Sequence, residues 1–186
     1  MKKKLKYPIK EEINLTPKEY SYLFFKSLVF PKQYSILVSK YNKLQNGLFF
    51  FLINLLLTLL FYTFLKNISS SINLLFSFVS EIIFFIPFSL LLLILFTFIL
   101  HTFSKIAGGK GSIKNSFNAI CYSTSPLIFL PVKYLKLVGI LYFIVLLIYN
   151  YKNFQNLSLV KAGFIIILPS LMIILFLIMT GIITLL

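Results

Sequence analysis

Tryptophan, arginine and aspartate do not occur in this chain of 186 residues, and cysteine and histidine occur once each, as Cys121 and His101. One cysteine cannot close an intrachain disulfide. A zinc or di-metal centre draws several ligands from Cys, His, Asp and Glu. One His, one Cys and four scattered glutamates (Glu11, Glu12, Glu19 and Glu81) do not form such a set, so no metal and no other cofactor is expected. A hydrolytic triad fails as well. His101 and Ser123 fall on different apolar segments, with no carboxylate partner and no strand-turn nucleophile motif. Charge is scarce overall: 12% of residues are charged, against about a quarter in a soluble domain. That is too little polar surface to cover a soluble globule. The expectation is a non-enzymatic protein whose solvent is lipid.

What the chain has is apolar. Hydrophobic residues make up 59% of it, phenylalanine alone contributes 22, and the mean hydropathy is +0.96. A helix needs about 20 residues to cross the hydrocarbon core. Five runs are read as crossings: residues 48–65, 82–100, 117–132, 137–149 and 162–186. The third is the most polar, carrying Asn118, Cys121, Ser123, Thr124, Ser125 and two prolines, Pro126 and Pro131. Residues 68–80, apolar but interrupted by serines and Asn73, are read as an interfacial stretch rather than a sixth crossing. The fold class expected is an all-α polytopic bundle of about five transmembrane helices.

All 18 basic residues are lysine, and the net charge is +14. No basic face stands apart from the apolar segments, so nucleic acid is excluded as the partner. The lysines report topology instead. Fifteen fall on the N-terminal arm and on the loops after the second and fourth crossings, whereas Lys66, Lys133 and Lys136 fall on the other side. By the positive-inside rule the N-terminus is cytoplasmic and the C-terminus outside. No cleavable leader is expected, since the first long apolar run begins near residue 47.

The division expected is a basic cytoplasmic arm over residues 1–46 and a five-span membrane domain over 47–186. Within the arm, Thr16-Pro17-Lys18-Glu19 is a capping box with proline at the first helical position, predicting a helix to about Phe30, after which Pro31 restarts the chain. Tyr34, Leu37, Val38, Tyr41 and Leu44 then share one helical face. That spacing suits a helix lying on the membrane surface or one packed on the protein's own cytoplasmic loops.

Between the second and third crossings runs Lys105-Ile106-Ala107-Gly108-Gly109-Lys110-Gly111-Ser112-Ile113. Gly108 falls where a helix should end, and Ser112 is placed to cap the next. A helix start beside Lys110 and Lys114 suits an anion such as a lipid phosphate. Plain turn chemistry accounts for the same glycines. The candidate contact residues are Gly108, Gly109, Lys110, Gly111, Ser112 and Lys114. The spacing is not that of a nucleotide-binding loop, because Lys110 is followed by Gly111 and the four-residue spacer is missing.

His101, the run from Gly108 to Ser112, Ala119, Tyr122-Ser123, Ser125-Pro126 and Lys161-Ala162, with Phe30-Pro31 upstream, occur in an order that resembles the Yip family of Ypt/Rab-interacting membrane proteins. The resemblance covers roughly residues 28–183. It implies a cytoplasmic N-terminal segment, five spans, an external C-terminus and a membrane-organising or adaptor role related to membrane traffic. The short basic arm differs from the longer, often proline-rich one of eukaryotic members. It resembles the prokaryotic branch, which implies the cell membrane of a prokaryote. Anionic headgroups, a protein partner at the cytoplasmic face and self-association are the partners expected.

The competing expectation is a transporter or channel for a small solute or lipid. Pro87, Pro126, Pro131 and Pro169 are read as interrupting spans, and broken helices free backbone groups that can line a path. Asn118, Ser123, Ser125 and Pro126 are the polar or helix-breaking intramembrane candidates. Packing through small hydroxyl residues explains them equally well.

Overall fold

A computed structural model describes residues 15–67 and 74–179. Their elements are helical. Helix α1 (Pro17–Val29) starts as its capping box dictates: Glu19 Oε2 accepts the Thr16 amide at 2.8 Å, and Thr16 Oγ1 accepts the Glu19 amide at 3.4 Å. Proline cannot donate the next backbone bond, so Pro31 ends α1 and opens α2 (Pro31–Val38). Helix α3 (Leu44–Asn67) and helix α4 (Leu74–Ile106) follow, then α5 (Ile113–Cys121), a 3-10 helix (Ser125–Phe129), α6 (Lys136–Gln155) and α7 (Leu159–Met179). Three of these are long and apolar enough to cross a membrane: Leu44–Lys66, Phe78–Ile106 and Lys136–Gln155.

Three expectations change. Residues 117–132 are not one helix. Helix α5 has 9 residues and spans about 14 Å, less than half of the hydrocarbon core. It stops where hydroxyl side chains turn back on the backbone: Ser123 Oγ donates to the Ala119 carbonyl at 2.6 Å and Thr124 Oγ1 to that of Cys121 at 2.7 Å. Pro126 then opens the 3-10 helix. Pro87 and Pro169, expected to interrupt spans, lie inside α4 and α7. Finally, α4 begins at Leu74, so residues 74–80, read as a stretch apart from the second crossing, are helical and continuous with it in a 33-residue helix. Residues 68–73 lie outside the described residues, as do 1–14 and the last part of the fifth expected crossing, 180–186.

One end of the bundle gathers most of the helix termini. Asn42 at the entrance to α3 bonds Asn115 of α5, and Gly47 packs on Asn118. The Lys110 amide donates to the Gln155 carbonyl, joining the glycine turn to the end of α6, and Lys161 of α7 reaches the Ala107 carbonyl past α4. We call this the glycine-turn end. Lys66, Lys133 and Lys136 lie at the opposite end, where Lys66 pairs with Glu81 at 3.0 Å.

The core does not stop at residue 46. Leu23, Tyr34 and Val38 are fully buried with Phe50, Tyr122, Leu146, Leu147 and Tyr151. The Tyr34, Leu37, Val38 and Tyr41 face is therefore turned onto the protein's own helices. Outward-facing positions are apolar instead, including Phe84, Phe98, Leu137 and Phe164. With three helices long and apolar enough to cross a membrane, an exterior of this kind is one that lipid covers.

Candidate functional site

The glycine tract is shaped by close approach. Helix α4 ends at Ile106 and Gly108 takes φ 87°, the left-handed geometry that glycine adopts without steric cost. Its amide bonds the Lys105 carbonyl, and the Gly109 amide bonds that of Ser104 at 2.8 Å. With Lys110 bonded to Gln155, three successive amides of the turn are engaged inside the protein. An anion here would meet lysine side chains rather than those amides.

Gly109 and Gly111 rest directly on the bundle. A methyl group on Gly111 would stand 2.6 Å from both Gln155 Oε1 and the Phe154 carbonyl, and one on Gly109 would stand 2.9 Å from the Ser104 carbonyl. Gln155 Oε1 and Ser104 Oγ are buried without a hydrogen-bond partner among the described residues. Glycine α-carbons lying against such oxygens offer them weak C–H···O contacts. Ser112 occupies the cap position of α5, yet its side chain makes no capping bond; Ser112 Oγ lies 3.3 Å from Asn115 Oδ1. Ile113 and Lys114 sit with Leu44, Ile94, Thr97, Phe98 and Phe117 around a groove of about 240 Å³ between α3, α4 and α5. The groove is apolar except for Thr97 and Lys114.

Beneath the turn lies a ladder of amides. Asn118 Nδ2 donates to Asn42 Oδ1 at 2.8 Å, Asn42 Nδ2 to Asn115 Oδ1 at 2.9 Å, and Asn115 Nδ2 to the Phe154 carbonyl at 2.9 Å. Gln155 Nε2 donates to Ser116 Oγ at 2.6 Å, and His101 Nδ1 lies 3.0 Å from the same oxygen. His101 thus ties the end of α4 to α5. Deeper, Asn150 Nδ2 donates to Ser123 Oγ at 2.9 Å, Asn54 Nδ2 reaches Thr124 Oγ1 at 3.4 Å, and Tyr34 Oη donates to the Tyr122 carbonyl at 2.5 Å. This last bond satisfies a backbone group that the broken crossing would otherwise leave open.

The predicted residues therefore separate into two groups. Gly108, Gly109, Lys110, Gly111, Ser112 and Lys114 share the glycine-turn end. Asn118 hangs below it on α5, whereas Ser123, Ser125 and Pro126 mark the break in the third crossing. All four are buried. Sequence reasoning passed over Asn42, Asn54, Asn115, Asn150 and Gln155, which carry most of the polar bonding. Asn54 within LFFFLINLLL was a legible signal, because an amide in an apolar run needs a partner.

One carboxylate near this end is perturbed. Hydrogen bonds from the Thr16 hydroxyl, the Thr16 amide and the Tyr41 hydroxyl hold Glu19 below its ordinary value of 4.5. Burial, reinforced by Glu19, pushes Tyr41 up to about 12. The Tyr41 to Glu19 bond of 2.9 Å closes the open end of the α1–α2 pair.

Among protein families, the chain matches the one described as Yip1 domain over residues 25–181. No curated protein and no solved structure matches it.

Proposed function

Since the chain belongs to the Yip1 domain family, matched over residues 25–181, and is a multi-pass integral membrane protein, we propose that it is a non-enzymatic membrane-organising adaptor. Its glycine-turn end faces the cytosol and holds anionic headgroups, with the C-terminus outside, in the cell membrane of a prokaryote. The observation that carries this reading is charge asymmetry. Lys105, Lys110, Lys114, Lys152 and Lys161 belong to helix ends and loops at the glycine-turn end. Lys133 and Lys136 stand at the other, with Lys66 offset by Glu81. Each lysine near an anionic surface contributes about 1 kcal/mol, so five against two orients the bundle strongly. Lys114 also lines the apolar groove against Ile94 and Phe98, which supports a phosphate above and an acyl chain below. The same end offers a surface for a protein partner.

The test is lipid retention. Purified protein is reconstituted in a mixture of zwitterionic and anionic phospholipid, and the lipids that remain after extraction into detergent are weighed by native mass spectrometry. The anionic lipid is enriched, and the double substitution Lys110→Glu with Lys114→Glu removes the enrichment while leaving the melting curve in place. Equal retention by wild type and variant would refute the headgroup contact. Labelling of Lys110→Cys from the outer face of intact cells would refute the orientation.

A transport path has one observation in its favour. Asn118 Oδ1 and Asn150 Oδ1 are buried without hydrogen-bond partners among the described residues, as acceptors awaiting a solute would be. Solute or lipid flux in liposomes that collapsed on Asn118→Leu would put this reading first.

A further inference from the structure

Helices α1 and α2 enter and leave the bundle at the same end, and the depth of their turn can be read from α6. At the stem, Leu15 N donates to Asn46 Oδ1, and Tyr41 bonds Glu19. Tyr20 reaches Asn54, nearly three turns into α3. Toward the tip, Tyr142 Oη donates to the carbonyls of Ser27 and Leu28, at 3.0 Å each. Tyr142 stands 13 residues before Gln155, the last residue of α6, or about 20 Å along the helix from the glycine-turn end. The hydrocarbon core is about 30 Å thick. The turn at Val29, Phe30 and Pro31 thus lies between the levels of Tyr142 and Asn153 on α6, and α2 then returns: Ser35, four residues or about 6 Å past Pro31 along the helix, accepts a bond from Asn153, near the end of α6.

The outer face of this hairpin is greasy where a surface arm would be polar. Phe25, Val29 and Phe30 are 67%, 63% and 53% exposed. On α6 at the level of Tyr142, Val138 and Leu141 are exposed and apolar too, so the hairpin continues the lipid-facing band.

We propose that α1 and α2 form a re-entrant wedge whose exposed face is covered by the acyl chains of one leaflet, the one at the glycine-turn end. Among the described residues no such hairpin stands at the opposite end, so the described part of the protein occupies more of one leaflet than of the other. Two lysines ride on the wedge. Lys26 bends back over Tyr22, with Nζ 2.7 Å from the hydroxyl and 4.9 Å from the ring centroid, toward the stem. Lys32 is exposed beside the turn. Ammonium groups at such depth are solvated by snorkelling and by local thinning of the leaflet. The wedge therefore draws its leaflet inward as well as spreading it.

The test uses the full chain in vesicles, with the buried Cys121 changed to alanine and single cysteines placed at Phe30 or Lys18 for a fluorophore. In Phe30→Cys the dye is quenched severalfold more by lipids brominated in mid-chain than by aqueous iodide, and in Lys18→Cys the order reverses. Adding Tyr142→Phe to the Phe30→Cys chain releases the tip and shifts its quenching toward iodide. Iodide quenching of the Phe30 dye as strong as that of the Lys18 dye would overturn the wedge. The comparison is made in purely zwitterionic vesicles, so its outcome is independent of headgroup charge and of the anionic-lipid reading.

Discussion

Replacing Gly111 by alanine adds one methyl group where a glycine lies closest to the backbone of another element. The new Cβ would stand 2.6 Å from the Phe154 carbonyl and 2.6 Å from Gln155 Oε1. Gln155 is a side chain and can swing away, but the Phe154 carbonyl is backbone at the end of α6, so the turn itself has to lift. Overpacking of this kind costs about 1–3 kcal/mol. The stiffer unfolded chain of the alanine variant offsets about 0.4–1 kcal/mol of that. A net loss of about 1–2 kcal/mol lowers the melting temperature by about 2–8 °C for a chain of this length. Cys121, buried and the sole cysteine, supplies the assay: a thiol-reactive dye in detergent reports unfolding as the sulfur emerges. Gly163→Ala is the control. A methyl group there meets nothing within 4 Å, and a helix interior gains about 0.5–1 kcal/mol on going from glycine to alanine, so that variant melts at or above the wild type. Gln155→Ala in the Gly111→Ala chain restores only part of the loss, because the backbone contact remains. If Gly111→Ala melts like the wild type, or Gly163→Ala falls as far, the close-approach argument is wrong.

Tyr34→Phe removes the bond to the Tyr122 carbonyl and leaves a buried acceptor open, costing about 1–3 kcal/mol; the same dye assay reads it as earlier exposure of the neighbouring Cys121. Lys161→Met removes the ammonium that reaches the Ala107 carbonyl beyond the end of α4; at this exposed site the loss is about 0.3–1 kcal/mol and shrinks with added salt, as melting at low and high ionic strength would show. Because the carboxyl of Glu19 titrates lower in the folded state than its ordinary 4.5, its contribution is complete above that value and is lost as pH falls through the lowered one. The melting temperature of wild type should therefore fall toward that of Glu19→Gln as pH drops below about 4.5, and a gap between them that stayed constant would refute the role of the capping box.

Helix α1 was legible residue by residue, since Thr16, Pro17, Glu19 and Pro31 act through local chemistry. The end of α4 at Gly108 was legible for the same reason. The third crossing was not. Its hydropathy permits a span, but Ser123 and Thr124 choose backbone carbonyls over helix continuation only when Asn54 and Asn150 stand beside them to complete the bonding. The glycine tract was recognised as a turn, yet the need for glycine at 111 comes from Phe154 and Gln155, more than forty positions away. For the arm, the apolar face was legible, but its spacing suited a membrane surface and the protein's own helices alike, and packing chose the latter. Tyr142 on α6 holds the far end of α1 through the Ser27 and Leu28 carbonyls.

Composition, lysine placement and local capping determined by themselves that this is a helical membrane protein with a basic end, because transfer energies and helix-terminal bonds depend on nearby residues. Only the tertiary structure decided which buried amides pair, where the third expected crossing breaks and which helices α1 and α2 pack against. Each of those outcomes is a choice between partners distant in sequence, made where no water competes for the bond.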